Sequence, residues 1–315
     1  MKRLCLIVLL AAGSMVAQDQ AAPAQPQAPK TPKFQTNLVE KTIAPTFSDI
    51  NCSGFMTKEN IEAKNLVIGG EFSPHVSQFG GRDTIFLSGE GLTVGSQFRL
   101  VRRVADKNRM ESFPGQYKMA KGGGDQWADL GYAHVVQVVD GTPLALVDFS
   151  CQPIVVGDIA VPFTERPPVP YSKSPLGFQE FGVPQSSTTG MIVQAKDFDF
   201  LLGTGKKVYI NLGTEKGLKP GDYLRVTRGY DWKKDVRPID RQSTYATMSE
   251  ETSDRMPKVP KGQESKFPRR GLGEMIVLWV SPNTAVAMVT ASREDIQIGD
   301  QVELESAPPV QQAQQ

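Results

Sequence analysis

Histidine and cysteine supply much of the nucleophilic and metal chemistry of proteins, and this chain has few of either. It contains two histidines, His75 and His134, and three cysteines. Cys5 lies in an N-terminal apolar run, whereas Cys52 and Cys151 form an even pair that favours a disulfide in an exported protein. The alternative is two separate buried thiols. No Cys-His pair and no recognised zinc-ligand spacing is present, so we expect no metal site and no cofactor.

The acidic residues form no recognised catalytic pattern. Duplicated β-barrels can share an aspartate dyad, which requires Asp-Thr-Gly or Asp-Ser-Gly in each half. Neither tripeptide occurs: Asp140-Gly141-Thr142 has another order, and its counterpart Pro282-Asn283-Thr284 has no acid. The glycine run 122–124 lacks the Gly-Lys-Ser/Thr ending of a phosphate-binding loop and predicts a flexible loop tip. The sequence therefore predicts a protein that is not an enzyme.

The candidates for recognition are aromatic and basic residues in two long insertions, at 104–130 and 229–272. The second insertion has ten Lys or Arg against seven Asp or Glu. Loops on a β scaffold commonly bind partners, and Trp, Tyr and Arg are typical of binding hot spots. The alternative is a solvated loop, with each Trp folded back as a core residue. The predicted binding residues are Trp127, Tyr230, Trp232, Arg269 and Arg270.

The N-terminal segment predicts export. Lys2 and Arg3 precede an apolar run and then small residues up to Ala17, the order found in a signal peptide. The run is too short to cross a bilayer, so we expect 1–17 to be removed and no transmembrane segment to remain. The mature protein would then be periplasmic or secreted. Low apolar content predicts disorder in 18–45 and in the tail 306–315.

The charge balance bears on the partner. The chain has 35 Lys or Arg against 34 Asp or Glu, so it offers no basic field for a nucleic acid. Binding to nucleic acid is therefore not expected. An envelope protein or a glycan is the expected partner.

An internal repeat supplies the framework for these residues. The block 91–102 returns as 217–228, and the blocks 131–136 and 154–161 return as 273–278 and 296–303. The copies are 126 residues apart at the first block and 142 residues apart at the last, so the second copy carries 16 more residues in its insertion. The chain therefore contains two copies of one module.

The repeated blocks have the two-residue period of strands with one buried face. Phe98 and Leu100 alternate with polar residues, as Leu224 and Val226 do in the second copy. No helix longer than about one turn is expected. Glycine supplies the positive φ of tight turns, and Asp can hydrogen-bond nearby amides. The predicted turn residues are Gly95, Gly157, Asp158, Gly221, Asp222, Gly299 and Asp300.

These patterns predict an all-β chain of two tandem modules of SH3-like size, related by internal duplication. Each module is expected to be a small β-barrel or β-sandwich. The first module spans 46–165 and the second spans 188–305. A linker rich in Pro, Ser and Gly at 166–187 separates them.

The repeated plan resembles β modules of bacterial cell-envelope proteins. In each copy Gly-Leu-x-x-Gly-Asp/Ser precedes an Arg-bearing strand, and after the insertion a Gly-led strand pair ends at Ile-x-x-Gly-Asp or its equivalent. The plan is similar to modules associated with LysM repeats and to the C-terminal domain of the flagellar outer-membrane-ring assembly protein. No LysM repeat itself is present, so glycan binding by such a unit is not implied.

The resemblance implies a noncatalytic envelope adaptor or binding protein. The alternative is an accessory or hydrolase-like module that acts on cell-wall or extracellular polysaccharide. The two interpretations differ in what they expect between the modules. A cleft there that holds two carboxylates would favour the hydrolase-like alternative.

Overall fold

The structure, a computed structural model, describes residues 43–106, 111–170, 181, 186–229 and 268–305. These residues are mostly β-strand, with short helices. The helices are α1 (Phe47–Asn51) and α2 (Gln116–Gly123). The strands are β1 (Phe55–Thr57), β2 (Leu66–Gly70), β3 (Thr84–Ser88), β4 (Gln97–Val104), β5 (Asp125–Val139), β6 (Thr142–Ser150), β7 (Ile159–Pro162), β8 (Thr189–Ala195), β9 (Leu201–Leu202), β10 (Lys207–Ile210), β11 (Tyr223–Arg228), β12 (Arg270–Val280), β13 (Ala285–Ser292), β14 (Ile296–Gln297) and β15 (Gln301–Leu304).

The strands close two six-stranded antiparallel barrels of the same topology. Barrel 1 has the order β5-β4-β7-β2-β3-β6, closed by pairing of β6 with β5, and β1 is added to β5. Barrel 2 has the order β12-β11-β15-β8-β10-β13, closed by pairing of β13 with β12. The prediction of two tandem all-β modules is confirmed, and both are barrels rather than sandwiches.

The duplication extends to register and burial. Phe98 pairs with Ala133, and the equivalent Leu224 pairs with Met275. Leu100 and Val226, two residues further along these strands, are both buried. A one-residue slip would reverse every side chain, so this shared register confirms that the repeat places the same face of each strand in its core.

The aspartates of two predicted turns form ion pairs with arginines of neighbouring strands. Asp158 accepts a bidentate ion pair from Arg102, with both oxygen–nitrogen distances 2.7 Å, and Asp300 accepts one from Arg228 at 2.8 Å. Both carboxylates are buried and also accept a backbone N–H three residues earlier in the chain. Each aspartate therefore links its own loop to the Arg-bearing strand.

Residues 46–57, the junction segment, lie between the barrels. Ile50 of α1 packs in an apolar cluster with barrel 2 side chains that include Ile276 and Leu278. Met56 of β1 belongs to a second such cluster with Tyr209 and Val286. These residues therefore contribute to packing with barrel 2, although the predicted boundaries assign them to the first module.

Hydrogen bonds fix the junction segment to barrel 2. The Tyr209 hydroxyl donates to the carbonyl of Ser53 at 3.1 Å, and the Thr284 hydroxyl donates to that of Met56 at 2.7 Å. Burial raises the pKa of Tyr209, so this phenol remains a donor at neutral pH. The segment thus has both its apolar side chains and its carbonyl groups paired with the second barrel.

A disulfide fixes the same segment to barrel 1. Cys52, which follows α1, is bonded to Cys151, which follows β6, across 99 residues of sequence. This confirms the predicted bridge. The junction segment is therefore joined covalently to one barrel and by packing and hydrogen bonds to the other.

Part of the first insertion packs against barrel 2, which corrects two expectations. It contains the eight-residue helix α2, longer than the single turn expected. The Gln116 side chain donates to the carbonyl of Val193 at 3.2 Å and to the amide oxygen of Gln194 at 3.0 Å. Gly123 ends α2 and is buried, and a Cβ at Gly124 would meet the backbone of β1. Gly123 and Gly124 are therefore close-packing positions and not a free loop tip, whereas Gly122 is exposed with open space around it.

The segments predicted to be linkers also contribute to the junction. Ile43 packs against the cluster around Ile50, and Val169 is a buried member of it. Arg166 is buried as well. The linker residues 18–42, 171–180 and 182–185, the predicted signal peptide and the predicted tail lie outside the described residues.

Candidate functional site

The structure describes three of the five predicted binding residues, Trp127, Arg269 and Arg270, and each of these three is buried or partly buried. Trp127 lies in β5, pairs with Phe55, and is only 5% exposed. The exposed indole expected at this position is not observed, because the strand places it in the packed region beside β1. Tyr230 and Trp232 lie outside the described residues.

The two predicted arginines are engaged with acidic side chains of barrel 2. Arg269 donates to Glu303 and to the hydroxyl of Thr227, and Arg270 pairs with Glu294 at 3.1 Å. Both arginines are partly buried at the start of β12. Their charges are therefore used within the barrel.

A cleft lies where the two barrels meet, and we call it the junction cleft. It encloses about 390 Å³ and receives side chains from β1, β4, β7, β12 and the segments that follow them. A second depression of about 310 Å³ shares Arg166 with it. Six residues that line the junction cleft carry its chemistry: Phe55, Glu59, Arg99, Arg166, Trp279 and Ser281.

A buried ionic network stands behind this lining. Asp129 is fully buried and accepts two hydrogen bonds from Arg166, at 2.6 and 3.2 Å. Arg99 pairs with the same carboxylate at 3.5 Å. The carboxylate also accepts the backbone N–H of Gly54 at 2.8 Å, so it ties the junction segment to β5.

Backbone carbonyl groups complete the coordination of the two guanidinium groups. Arg166 donates to the carbonyl of Ile50 at 3.0 Å and to the hydroxyl of Ser53 at 3.2 Å. Arg99 donates to the carbonyl of Thr164 at 3.1 Å and to the Asn51 side chain at 3.4 Å. The network therefore fixes the positions of both arginines in the wall of the cleft.

Aromatic rings flank the same cations. The guanidinium of Arg166 stands 5.0 Å from the ring centroid of Trp279 and 5.8 Å from that of Phe55. Arg99 stands 5.5 Å from the ring of Phe163. These are cation–π distances, and they hold flat apolar surface next to positive charge.

The network contains more positive than negative charge. Two guanidinium groups share the one carboxylate of Asp129. Burial, followed by repulsion from Arg166, lowers the pKa of Arg99, although an arginine in this range remains charged at neutral pH. The wall of the junction cleft therefore has one uncompensated positive charge within this network.

Sequence reasoning missed this site, although one signal was present. In barrel 1, Asp129 pairs with Val101 of the neighbouring strand. The equivalent pair in barrel 2 is Gly271 with Thr227, so barrel 2 has glycine where barrel 1 has Asp129. An acid within a buried strand, at a position where the other copy has glycine, indicates a role beyond the shared framework. Arg166 and Trp279 gave no comparable signal, because one lies in a proline-rich segment and the other ends an apolar strand.

No protein-family model matches this chain, and no curated protein matches its sequence. Within the described ranges, no helix is long and apolar enough to cross a membrane, and no cluster of His, Cys, Asp and Glu could hold a metal ion.

Proposed function

We propose that this chain is a noncatalytic exported envelope adaptor or binding protein, and that the junction cleft is its recognition site. The observation that carries the proposal is the composition of the cleft wall. Arg99 and Arg166 are fixed there, and Arg166 lies beside the rings of Phe55 and Trp279. Arginine and aromatic side chains in a concave site are typical of recognition.

The carboxylates near the cleft support binding over the hydrolase-like alternative. Glycosidases use two carboxyl groups that face the same bond. Among the lining residues the structure describes, Glu59 has the one carboxylate, and it is exposed. Asp129 does not line the cleft, is fully buried, and is bound by both arginines.

The disulfide supports the export component of the proposal. Structural disulfides persist in oxidising compartments such as the periplasm and the extracellular space. The bridge between Cys52 and Cys151, together with the predicted signal peptide, is consistent with a periplasmic or secreted protein.

Cosedimentation with envelope fractions tests the proposed function. The chain without residues 1–17 should be retained on purified envelope, and it should release no sugar or peptide from cell-wall substrates. A Val156→Ala variant is the matched control, since Val156 is exposed and does not line the cleft. Equal recovery with and without envelope, or steady release of products, would contradict the proposal.

A further inference from the structure

We infer that the junction cleft binds a carboxylate-bearing sugar unit of an acidic glycan. The inference rests on the proposed function and names its ligand class. It depends on three properties of the cleft: its surplus charge, its available donors, and the combination of its size with its aromatic wall.

The surplus charge selects an anion. Within the buried network Arg99 and Arg166 face the single carboxylate of Asp129. Both guanidinium groups have partners, but two positive charges share one negative charge, and buried charges are screened less than surface charges. An anion that enters the cleft is therefore attracted more strongly than it would be by an exposed cation. Glu59 on the lining and Glu165 on the neighbouring depression are exposed, and water screens their effect.

The arginines also retain hydrogen-bond donors. Their hydrogen bonds to the described residues use Nη1 and Nη2. No described residue accepts from the Nε of Arg99 or of Arg166, so each guanidinium has a donor outside the network. Hydrogen bonds from guanidinium to carboxylate are among the stronger ones in proteins.

The rings and the volume favour a sugar as the carrier of the carboxylate. Trp279 and Phe55 offer apolar surface beside Arg166, and a pyranose ring has an apolar C–H face that packs on such rings. At about 390 Å³ the cleft is near the lower end of the range for small-ligand sites. It therefore suits one or two sugar units rather than a long peptide.

Calorimetric titration with two trisaccharides tests the inference. Trigalacturonate carries a carboxylate on each unit, and maltotriose is its neutral counterpart. We expect trigalacturonate to bind the mature chain at least about tenfold more tightly, a difference of about 1.4 kcal/mol. Its affinity should fall as the salt concentration rises, because salt screens the attraction between the carboxylates and the arginines.

A variant at Ser281 keeps the test independent of folding. Arg99 and Arg166 hold the junction together, so their replacement could unfold the protein. Ser281 lines the cleft and is outside the ionic network. We expect Ser281→Glu to lower the affinity for trigalacturonate by at least about tenfold through like-charge repulsion, and the matched control Ser281→Gln to change it by less than about threefold.

The outcomes separate this inference from the proposed function. Equal affinity for the two trisaccharides, no binding of either, or the same affinity in Ser281→Glu and Ser281→Gln would overturn the sugar assignment. Retention on envelope fractions under those results would leave the adaptor proposal standing. If the mature chain is not retained on envelope fractions, the proposed function is contradicted, whichever trisaccharide binds.

Discussion

At the scale of single residues, the two barrels share one ion pair and differ at another position. The bidentate pair of Arg102 with Asp158 in barrel 1 recurs as Arg228 with Asp300 in barrel 2. Asp129, in contrast, has no acidic counterpart. The shared pair therefore belongs to the framework, whereas Asp129 belongs to the junction.

Replacing the arginine of each shared pair measures its contribution to the framework. Arg102→Met and Arg228→Met each leave a buried aspartate without its cation, so each should lower the free energy of unfolding by about 2–3 kcal/mol. The loss should be larger in barrel 2, because the Arg228 side chain is 18% exposed and that of Arg102 is 35% exposed. Urea unfolding measures both, and the opposite order would contradict the burial argument.

Trp127 provides a second test at this scale. Its burial indicates that Trp127→Ala should lower the free energy of unfolding by about 3–5 kcal/mol, as truncation of a buried tryptophan generally does. Retention of the folded variant on envelope fractions should be unchanged. Trp232→Ala is the comparison, because the sequence predicts a binding role for both. Lost retention with unchanged stability in Trp127→Ala would restore the predicted binding role.

Single residues of the framework were more predictable than those of the site. Phe98 and Leu224 repeat in both type and spacing, and a two-residue period fixes which face they occupy. Arg166 joins Asp129 across 37 residues of sequence, and no local pattern encodes such a pair. The cleft depends on contacts of this kind, which explains why the prediction placed binding in the insertions instead.

At the scale of elements, each barrel bends at a matching bulge. Leu130 in β5 and Leu272 in β12 are the residues skipped in pairing with the preceding long strand, and both are buried. A glycine directly follows the skipped leucine in each strand, at Gly131 and Gly273. A bulge sharpens the local bend of a strand, so these positions help each sheet to close.

The bulge glycines should not tolerate a side chain. A Cβ would lie 2.0 Å from the carbonyl oxygen of Phe149 at Gly131, and 2.3 Å from that of Ala291 at Gly273. Each change to alanine should cost about 3 kcal/mol or more, and Gly131 should cost more because its φ is +146°. The control Gly80→Ala has open space, so thermal unfolding should show little change. Equal melting temperatures for all three would contradict this prediction.

The ion pair between α1 and β10 should make stability depend on pH. Burial opposes ionisation of Asp49, but hydrogen bonds from Lys207 and Thr46 outweigh it and hold the pKa of Asp49 below its ordinary value of 3.8. A lowered pKa in the folded state stabilises the protein above the unfolded-state value, and this contribution disappears as the pH falls through the folded-state value.

Asp49→Asn should therefore lower the melting temperature at pH 7, and the difference from the parent should shrink at about pH 2. Lys207→Met is the matched control, and the double variant should lose little more than either single variant because both remove one interaction. A difference that stays constant across this pH range would show that the Asn acts through the helix cap alone.

Strands were easier to predict than helices for a physical reason. A strand with one buried face leaves a two-residue period in the sequence, as β4 and β11 do. Helix α2 has no strong apolar stripe and ends in glycines, so its own sequence does not predict a helix. It forms where Gln116 and its neighbours pack against barrel 2, and that surface is supplied from elsewhere in the chain.

At the scale of the whole molecule, the two barrels are connected by packed contacts through the junction segment and not only by a linker. Each has its own core, and two further apolar clusters include side chains of the junction segment and of barrel 2. The repeat predicted two modules correctly. It could not predict their contact, because the contact depends on residues that differ between the copies.

Removal of the disulfide should weaken the attachment of the junction segment to barrel 1 and lower the stability of the protein. Replacing Cys52 and Cys151 with serine should lower the free energy of unfolding by up to about 4.7 kcal/mol, the chain-entropy value for a loop of about 100 residues. We expect calorimetry of the parent to show a single transition, since both barrels hold the junction segment. Unchanged melting in the double variant, or two separate transitions in the parent, would contradict this view of the junction.

The long reach of the junction segment has a consequence for the order of assembly during synthesis. The carbonyl of Met56 accepts a hydrogen bond from Thr284, which is 228 residues later in the chain. Ile50 packs against side chains of β12 and β13, which are also made late. Barrel 1 can close its own strands long before these partners are made, but its disulfide-linked segment then has nothing to cover it. Exposed apolar surface of this kind is prone to aggregation. The junction segment, which comes early in the sequence, therefore cannot complete its contacts until the last strands of barrel 2 are present.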